Sequence, residues 1–230
     1  MYFRHSSEIW RDHPALVPGV IFAAAIKKDA SVDAQIAKYS AIAESRLVRT
    51  SEGEFPEIQA WRRAFSKMGL KPTQYRCASE ALLRRFRKET ALPRIHPLID
   101  LCNAISLPFA IPVAVFDVAK IANGLTVRHA TGLEAYLAFS GDEERPDPGE
   151  VVFADEAGRA HARRWTNRQS AFSAVGDETA AVLIVAEAMH ESAEADIGKL
   201  AAALTAELHA IWSSPARSAT PTSAQPQFDF

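Results

Sequence analysis

The stretch from His96 to Asp117 constrains this chain more than any other. Leu98, Leu101, Cys102 and Ile105 fall at i, i+3, i+4 and i+7, which predicts an amphipathic helix with a core stripe. Ile99, Asn103 and Ser106 form a flanking row that could line a cavity. Pro108 and Pro112 close the helix, and the apolar run Val113–Phe116 follows as a buried strand ending on Asp117, a residue suited to capping the next turn. A helix delivering an asparagine to the mouth of a buried strand implies an α/β fold.

This order of residues, Pro97-Leu98-Ile99-Asp100-Leu101-Cys102-Asn103 followed by Ala114-Val115-Phe116-Asp117, resembles the B3/B4 domain of the phenylalanyl-tRNA synthetase beta subunit, which hydrolyses mischarged tRNA. There the pattern reads Pro-Leu-Val-Asp-hydrophobic-Thr-Asn, then eleven residues on a His in His-Ala-Phe-Asp. Leu125-Thr126-Val127-Arg128-His129-Ala130-Thr131-Gly132-Leu133-Glu134 is similar to the Val-Arg-x-Ala-x-x-Gly-Glu segment that follows. The resemblance runs from about Lys71 to Glu187, and the chain is too short to hold a synthetase core. Ser79-Glu80, Gly149-Glu150, Arg163-Arg164-Trp165 and Arg168-Gln169-Ser170 look like freestanding members of the family, which implies service in trans.

Composition sets limits on partners. With 230 residues, 48% hydrophobic and 23% charged, the chain can bury a full core in one compact domain. No run approaches the ~20 apolar residues of a membrane span, and the N-terminus lacks a signal-peptide core, so a cytoplasmic location is expected. A formal charge of −2 offers no global attraction to phosphate, leaving tRNA contact to local basic patches. Cys77 and Cys102 are the only thiols and are read as free. No metal-ligand spacing, P-loop or dinucleotide fingerprint is present, so no metal and no cofactor is expected.

The expected organisation is an N-terminal helical and strand region over 1–70 packed on the core, a B3/B4-like domain of mixed sheets and flanking helices over 71–212, and a disordered tail over 213–230, rich in Ser, Thr, Pro and Gln. Val17–Ile26 reads as a first buried strand. Ser31 is expected to cap a helix running to about Arg46, Pro56 to open another that Gly69 ends, and Ser79 to cap a third. Val151–Ala154 and Arg159–Arg163 flank Asp155-Glu156-Ala157-Gly158, a hairpin signal. Ala180–Val185 reads as a central strand, and Ile197–Ile211 as a closing helix.

Hydrolysis of an aminoacyl ester needs a pocket, a site for the terminal adenosine and a positioned water, and no protein nucleophile is required. The resemblance implies a pocket between the Asn103 helix, the strand ending at Asp117, and Trp165–Ser170. Asn103 is the first candidate for positioning substrate or water; it could instead tie its helix to a loop. The family's histidine position is Ala114 here, and its glutamate, six residues after a threonine, falls at Val185 counting from Thr179. Glu187, about 6.6 Å further on the same strand face, is a displaced candidate, its ordinary reading being a surface residue at a strand end. Trp165-Thr166-Asn167 stands where the family has a small Gly-Gly pair, which argues for a smaller or differently shaped pocket. Arg128, Glu134, Arg164 and Arg168 complete the substrate-binding set; ion pairing of the arginines with Glu134, Glu150 and Asp117 is the competing account. Arg84, Arg85, Arg87 and Lys88 could contact tRNA or simply form a solvated helix face.

The resemblance therefore implies an aminoacyl-tRNA deacylase. Its rivals are a non-catalytic protein that binds an amino acid or related metabolite, and an RNA-binding module without hydrolysis.

Overall fold

The computed structural model describes residues Met1–Phe230. In chain order the elements are β1 (Tyr2–His5), α1 (Ser7–Asp12), β2 (Val17–Ala24), α2 (Asp33–Leu47), α3 (Pro56–Lys67), α4 (Ala78–Glu89), α5 (Pro97–Phe109), β3 (Val113–Asp117), β4 (Gly124–His129), β5 (Tyr136–Leu137), β6 (Glu143–Glu144), β7 (Val151–Asp155), β8 (Ala160–Arg163), β9 (Arg168–Gln169), β10 (Ala181–Ala188), α6 (Ala193–Trp212), β11 (Ala216–Ala219) and β12 (Gln227–Asp229). The fold is the mixed α/β arrangement that the residue pattern predicts.

Two sheets organise the core. One has the strand order β12-β1-β4-β7-β8-β9, the other β11-β2-β10-β3, and a small β5-β6 ribbon stands beside them. Strand alternation assigns each residue of β10 to a layer. Val182, Ile184, Ala186 and Ala188 face α5 and α6, packing with Leu98, Leu101 and Ile105. Leu183 and Val185 face the other way, into a core shared with Phe3, Val127 and Phe153 of the larger sheet and with Trp61, Phe65, Leu83 and Phe86 of α3 and α4. The smaller sheet is thus a partition with α5 and α6 on one side and the second sheet, together with α3 and α4, on the other.

Local signals agree with several expectations. His96 caps α5 by accepting the Leu98 amide at 3.2 Å, with Pro97 in the first turn where its missing N–H is harmless. The β7–β8 hairpin closes through Gly158 at φ 77°, a left-handed value that glycine adopts freely. β10 is central, paired antiparallel to both β2 and β3.

Others are corrected. Ser31 does not cap α2, whose boundary residue is Val32, and Ser79 lies buried in the first turn of α4, where Cys77 takes the boundary position. The C-terminal segment, expected to be disordered, supplies β11 and β12, which cover the edges of β2 and β1. Its polar composition hides a few anchors: Phe230 stacks on Phe22 at 5.3 Å, and Ser214 donates to the Ala24 carbonyl at 2.6 Å. Edge strands need only alternate apolar residues and free backbone groups, so their composition resembles that of a loop.

Truncation after Trp212 should therefore expose two sheet edges and lower the melting temperature by several degrees in a thermal melt, at about 2–4 °C per kcal/mol for a chain of this size; an unchanged melt would mean the tail is not part of the fold.

Candidate functional site

Cavity one lies between the sheets, where β3 and β10 approach β8 and β9. Its volume is about 60 Å³, and its walls include Ala114, Phe153, Ala162, Trp165, Val185 and Glu187. Ala114 and Val185 are direct cross-strand partners, so the positions that would carry the family's histidine and glutamate meet side by side in the wall. Both are apolar here. The remaining carboxylate is Glu187, two residues beyond Val185 and on the same strand face.

Glu187 is no surface residue: it is 1% exposed. Burying a carboxylate without donors is costly, and this one is supplied with them. Trp165 Nε1 lies 3.0 Å from both Glu187 oxygens, and His5 Nε2 lies 2.7 Å from Oε1. Because a carboxylate only accepts, the Nε2–H of His5 is the donor, which leaves its buried Nδ1 without a partner. Trp61 Nε1 reaches the Glu187 carbonyl at 3.3 Å.

The mouth is built by the turn from Arg164 to Gln169. Arg164 and Trp165 both hold left-handed backbone, φ 48° and 55°, a conformation that costs a residue bearing a Cβ roughly 1–2 kcal/mol. Glu150 sustains it: its carboxylate accepts the Arg164 amide at 2.8 Å and Arg163 at 2.9 and 2.8 Å. Burial is the largest influence on Glu150 and pushes its pKa up, but the bonds and charge of Arg163 outweigh it and hold the carboxyl below the ordinary value. Further along, Gln169 donates to the Val115 carbonyl at 2.5 Å and Asn167 to that of Arg76 at 2.8 Å. The hydroxyl of Thr166 is buried without a partner.

The structure brings Trp165, Arg168 and Glu187 to this cavity and places the other candidates elsewhere. Asn103, half-buried, lines a second cavity of about 260 Å³ among α2, α5 and the α4–α5 loop, with Ser40, Arg94 and Asp100. Asp117 is buried, accepting the Thr179 hydroxyl at 2.8 Å and the Ala119 amide at 3.1 Å, which makes it the cap its position suggested. The expected pocket joining Asn103, Asp117 and the Arg164–Ser170 segment is therefore divided. Asp117 lies an even number of residues from Val115, which packs toward the helices, and the sheet stands between both polar residues and cavity one.

The arginines are largely paired. Arg128 bonds Glu134 at 2.5 Å, and Arg168 bonds Glu144 at 3.1 and 3.2 Å. Arg164 lines a third cavity and sits 4.0 Å from Glu150. On α4, Arg84 and Arg87 pair with the buried Glu52 and Arg85 with Glu89, while Lys88 is exposed on the same face. His5 went unread in the sequence because β1 is only four residues long. Its residue types, two aromatics followed by Arg4 and His5, do not alternate in polarity, and only the burial of the folded strand does.

No group of three or more His, Cys, Asp or Glu side chains converges where it could hold a metal ion, and no helix is long and apolar enough to cross a membrane. Both thiols are buried, and burial pushes Cys102 up to about 12 and Cys77 up to about 11, far from the thiolate range a nucleophile needs.

A small, mostly apolar cavity with one buried carboxylate lies between the two sheets of an α/β domain, roofed by a strained turn. The B3/4 domain profile matches residues 60–204, more than half of the chain, and the chain belongs to that family. It is 36% identical over 70 residues to the phenylalanine–tRNA ligase beta subunit of Cereibacter sphaeroides, covering 30% of this chain and 9% of that protein. The match to the same subunit of Chromobacterium violaceum is 35% over 77 residues, covering 34% and 10%. The matched segments thus span about a tenth of these relatives. Among solved structures, an N-terminal fragment of the phenylalanyl-tRNA synthetase beta subunit from Pyrococcus horikoshii is similar with a TM-score of 0.49 and 11% identity, over 94% of this chain and 50% of that one.

Two outcomes check the electrostatics. A thiol reagent at pH 8 should leave both cysteines unmodified until the protein is unfolded. Glu134 is raised by burial, the largest influence, yet the bonds from Thr131 and Arg128 prevail and hold it at about 2. Its native pKa lies below the unfolded one, so its stabilisation is complete above the ordinary carboxylate value of 4.5 and is lost as pH falls from there toward 2. Glu134→Gln should flatten the acid limb of a stability–pH curve over that interval.

Proposed function

We propose that cavity one takes the aminoacyl group of a charged tRNA and that the chain acts in trans as an editing-type deacylase. The observation that carries this reading is the meeting, on one cavity, of Ala114, Val185, Glu187 and the Trp165–Gln169 turn, which include two of the three segments between which the family resemblance puts an amino-acid pocket, the Asn103 helix being the one left out. Glu187 offers a fixed negative charge to the substrate ammonium, an interaction strengthened by the apolar surroundings. The unpartnered Thr166 hydroxyl is available to a water or to the ester carbonyl. Nothing in the wall is a competent nucleophile, so attack falls to water oriented by these groups and by the neighbouring ribose hydroxyl of the ester.

Size sets the substrate class. About 60 Å³ holds roughly four to six waters at about 10–15 Å³ each, the bulk of a small amino acid. Trp165, wholly buried and edge-on to Trp61 at 5.1 Å, forms a wall that does not yield to an aromatic side chain. The cleared ester is accordingly that of a small residue such as alanine, serine or glycine.

A second reading, an amino-acid binder without hydrolysis, is favoured by one observation: the Ala114–Val185 pair puts two apolar side chains at the positions where the family carries its histidine and glutamate. Purified protein incubated with a panel of mischarged tRNAs separates the two. Ester loss confined to small aminoacyl groups, reduced tens-fold or more by Glu187→Gln and spared by Cys102→Ala, is expected, since a charged hydrogen bond contributes about 1.5–3 kcal/mol. Thermal stabilisation by free small amino acids with every ester left intact would select the binder.

A further inference from the structure

Cavity one is supported by a residue from outside 60–204, the stretch that matches the B3/4 family. β1 runs parallel to β4 with His5 opposite Val127, and its buried positions are Phe3 and His5. Both side chains therefore point into the core between the sheets. There the His5 ring stands edge-on to Phe3 at 5.1 Å and to Trp10 at 5.2 Å, an apolar setting in which a polar ring needs a hydrogen-bond partner. Its partner is Glu187.

Each oxygen of a carboxylate can accept about two hydrogen bonds. Glu187 Oε1 is filled by His5 at 2.7 Å and Trp165 at 3.0 Å, whereas Oε2 takes only the shared Trp165 bond at 3.0 Å. One acceptor position remains, on a carboxylate that lines cavity one. Arg168, the other charged residue in the lining, is paired with Glu144, while Asn167 and Gln169 donate to the Arg76 and Val115 carbonyls. At this end the cavity therefore wants a donor from its ligand, and a cationic donor gains most in apolar surroundings. His5 keeps that demand in place. With Nε2–H committed to Glu187, a second proton on the buried Nδ1 would put a charge and an unbonded donor beside the Phe3 and Trp10 rings. The pair accordingly carries the single negative charge of the carboxylate.

We propose that His5 is a positioning residue of cavity one, which holds Glu187 charged with Oε2 left for the ligand, and that the site consequently takes esters of amino acids with a free α-ammonium and rejects those whose nitrogen is blocked or replaced. This rests on the reading of cavity one as an aminoacyl pocket. A formyl, acetyl or peptidyl group removes the charge and adds bulk that a cavity of about 60 Å³ does not admit. A hydroxyl in place of the ammonium removes the charge alone, so it isolates what His5 and Glu187 contribute.

The test uses the full chain at pH 7 with three probes: alanine methyl ester, methyl lactate, which is of the same size with a hydroxyl for the ammonium, and N-acetylalanine methyl ester. The alanine ester should bind roughly ten-fold or more tightly than methyl lactate, the scale of one charge-assisted bond, and the acetylated ester should not bind. His5→Ala should remove most of that preference, and His5→Gln, which returns an N–H that does not titrate, should restore it. With alanyl-tRNA the same loss should appear as a raised KM with kcat little changed, the mark of a binding interaction. Since His5→Ala can unfold the protein by stripping a donor from a buried carboxylate, the unsubstituted protein is read as well. In a nitrogen NMR spectrum of its histidines the His5 ring should carry its proton on Nε2 and should respond to alanine methyl ester but not to methyl lactate. No binding of the alanine ester, equal binding of the lactate ester, a folded His5→Ala protein with the preference intact, or a proton on Nδ1 alone overturns the role of His5. Binding and preference as expected with every tRNA ester left intact keeps that role and removes only the deacylase reading, whereas hydrolysis of alanyl-tRNA without preference for the ammonium does the reverse.

Discussion

The buried Glu187 carboxylate is the interaction around which the rest of this molecule is arranged. It receives His5 from β1 of one sheet, sits on β10 of the other, and takes Trp165 from the turn that roofs the cavity. Leaving such a group without donors costs several kcal/mol, so its presence obliges three distant segments to arrive together. The N-terminal strand, read from sequence as part of an outer region, is thereby an inner component of the site.

The smaller sheet determines which polar residues can cooperate. Its two faces serve two environments, helices on one and the intersheet core on the other, and residues two apart on a strand share a face. Ala114, Val185 and Glu187 meet for that reason. Asn103 and Asp117 are excluded for the same reason, although Asp117 shares a strand with Ala114. An account that joined them in one pocket was reasonable in one dimension and fails on the alternation of a strand.

Charge in this protein is mostly spent locally. Arg163 is clamped by Glu150 and Glu144, Arg128 by Glu134, and Arg84 and Arg87 by Glu52. These pairs fix turns and helix ends, and they leave little unpaired positive surface on α4 for an RNA backbone. Arg164 is the exception that matters: its main-chain amide is held by Glu150 while its side chain stacks on Tyr75 at the surface.

Sequence alone determined the parts governed by short-range periodicity and steric rules. The α5 stripe, the β7–β8 hairpin with Gly158, the central strand β10 and the α6 helix all follow from spacing and turn chemistry, and the ordered motifs led to the family. Tertiary structure decided what depends on contacts remote in sequence. It placed Glu187 inside rather than at a surface, because its donors lie 182 and 22 residues away. It ordered a tail of polar composition, because the edges of β1 and β2 offer backbone hydrogen bonds that no local pattern announces. It separated Asn103 from cavity one, because a helix face is chosen by what the sheet presents to it. Local free-energy terms are written in neighbouring residues, whereas burial and hydrogen-bond partners across the core are properties of the folded chain as a whole.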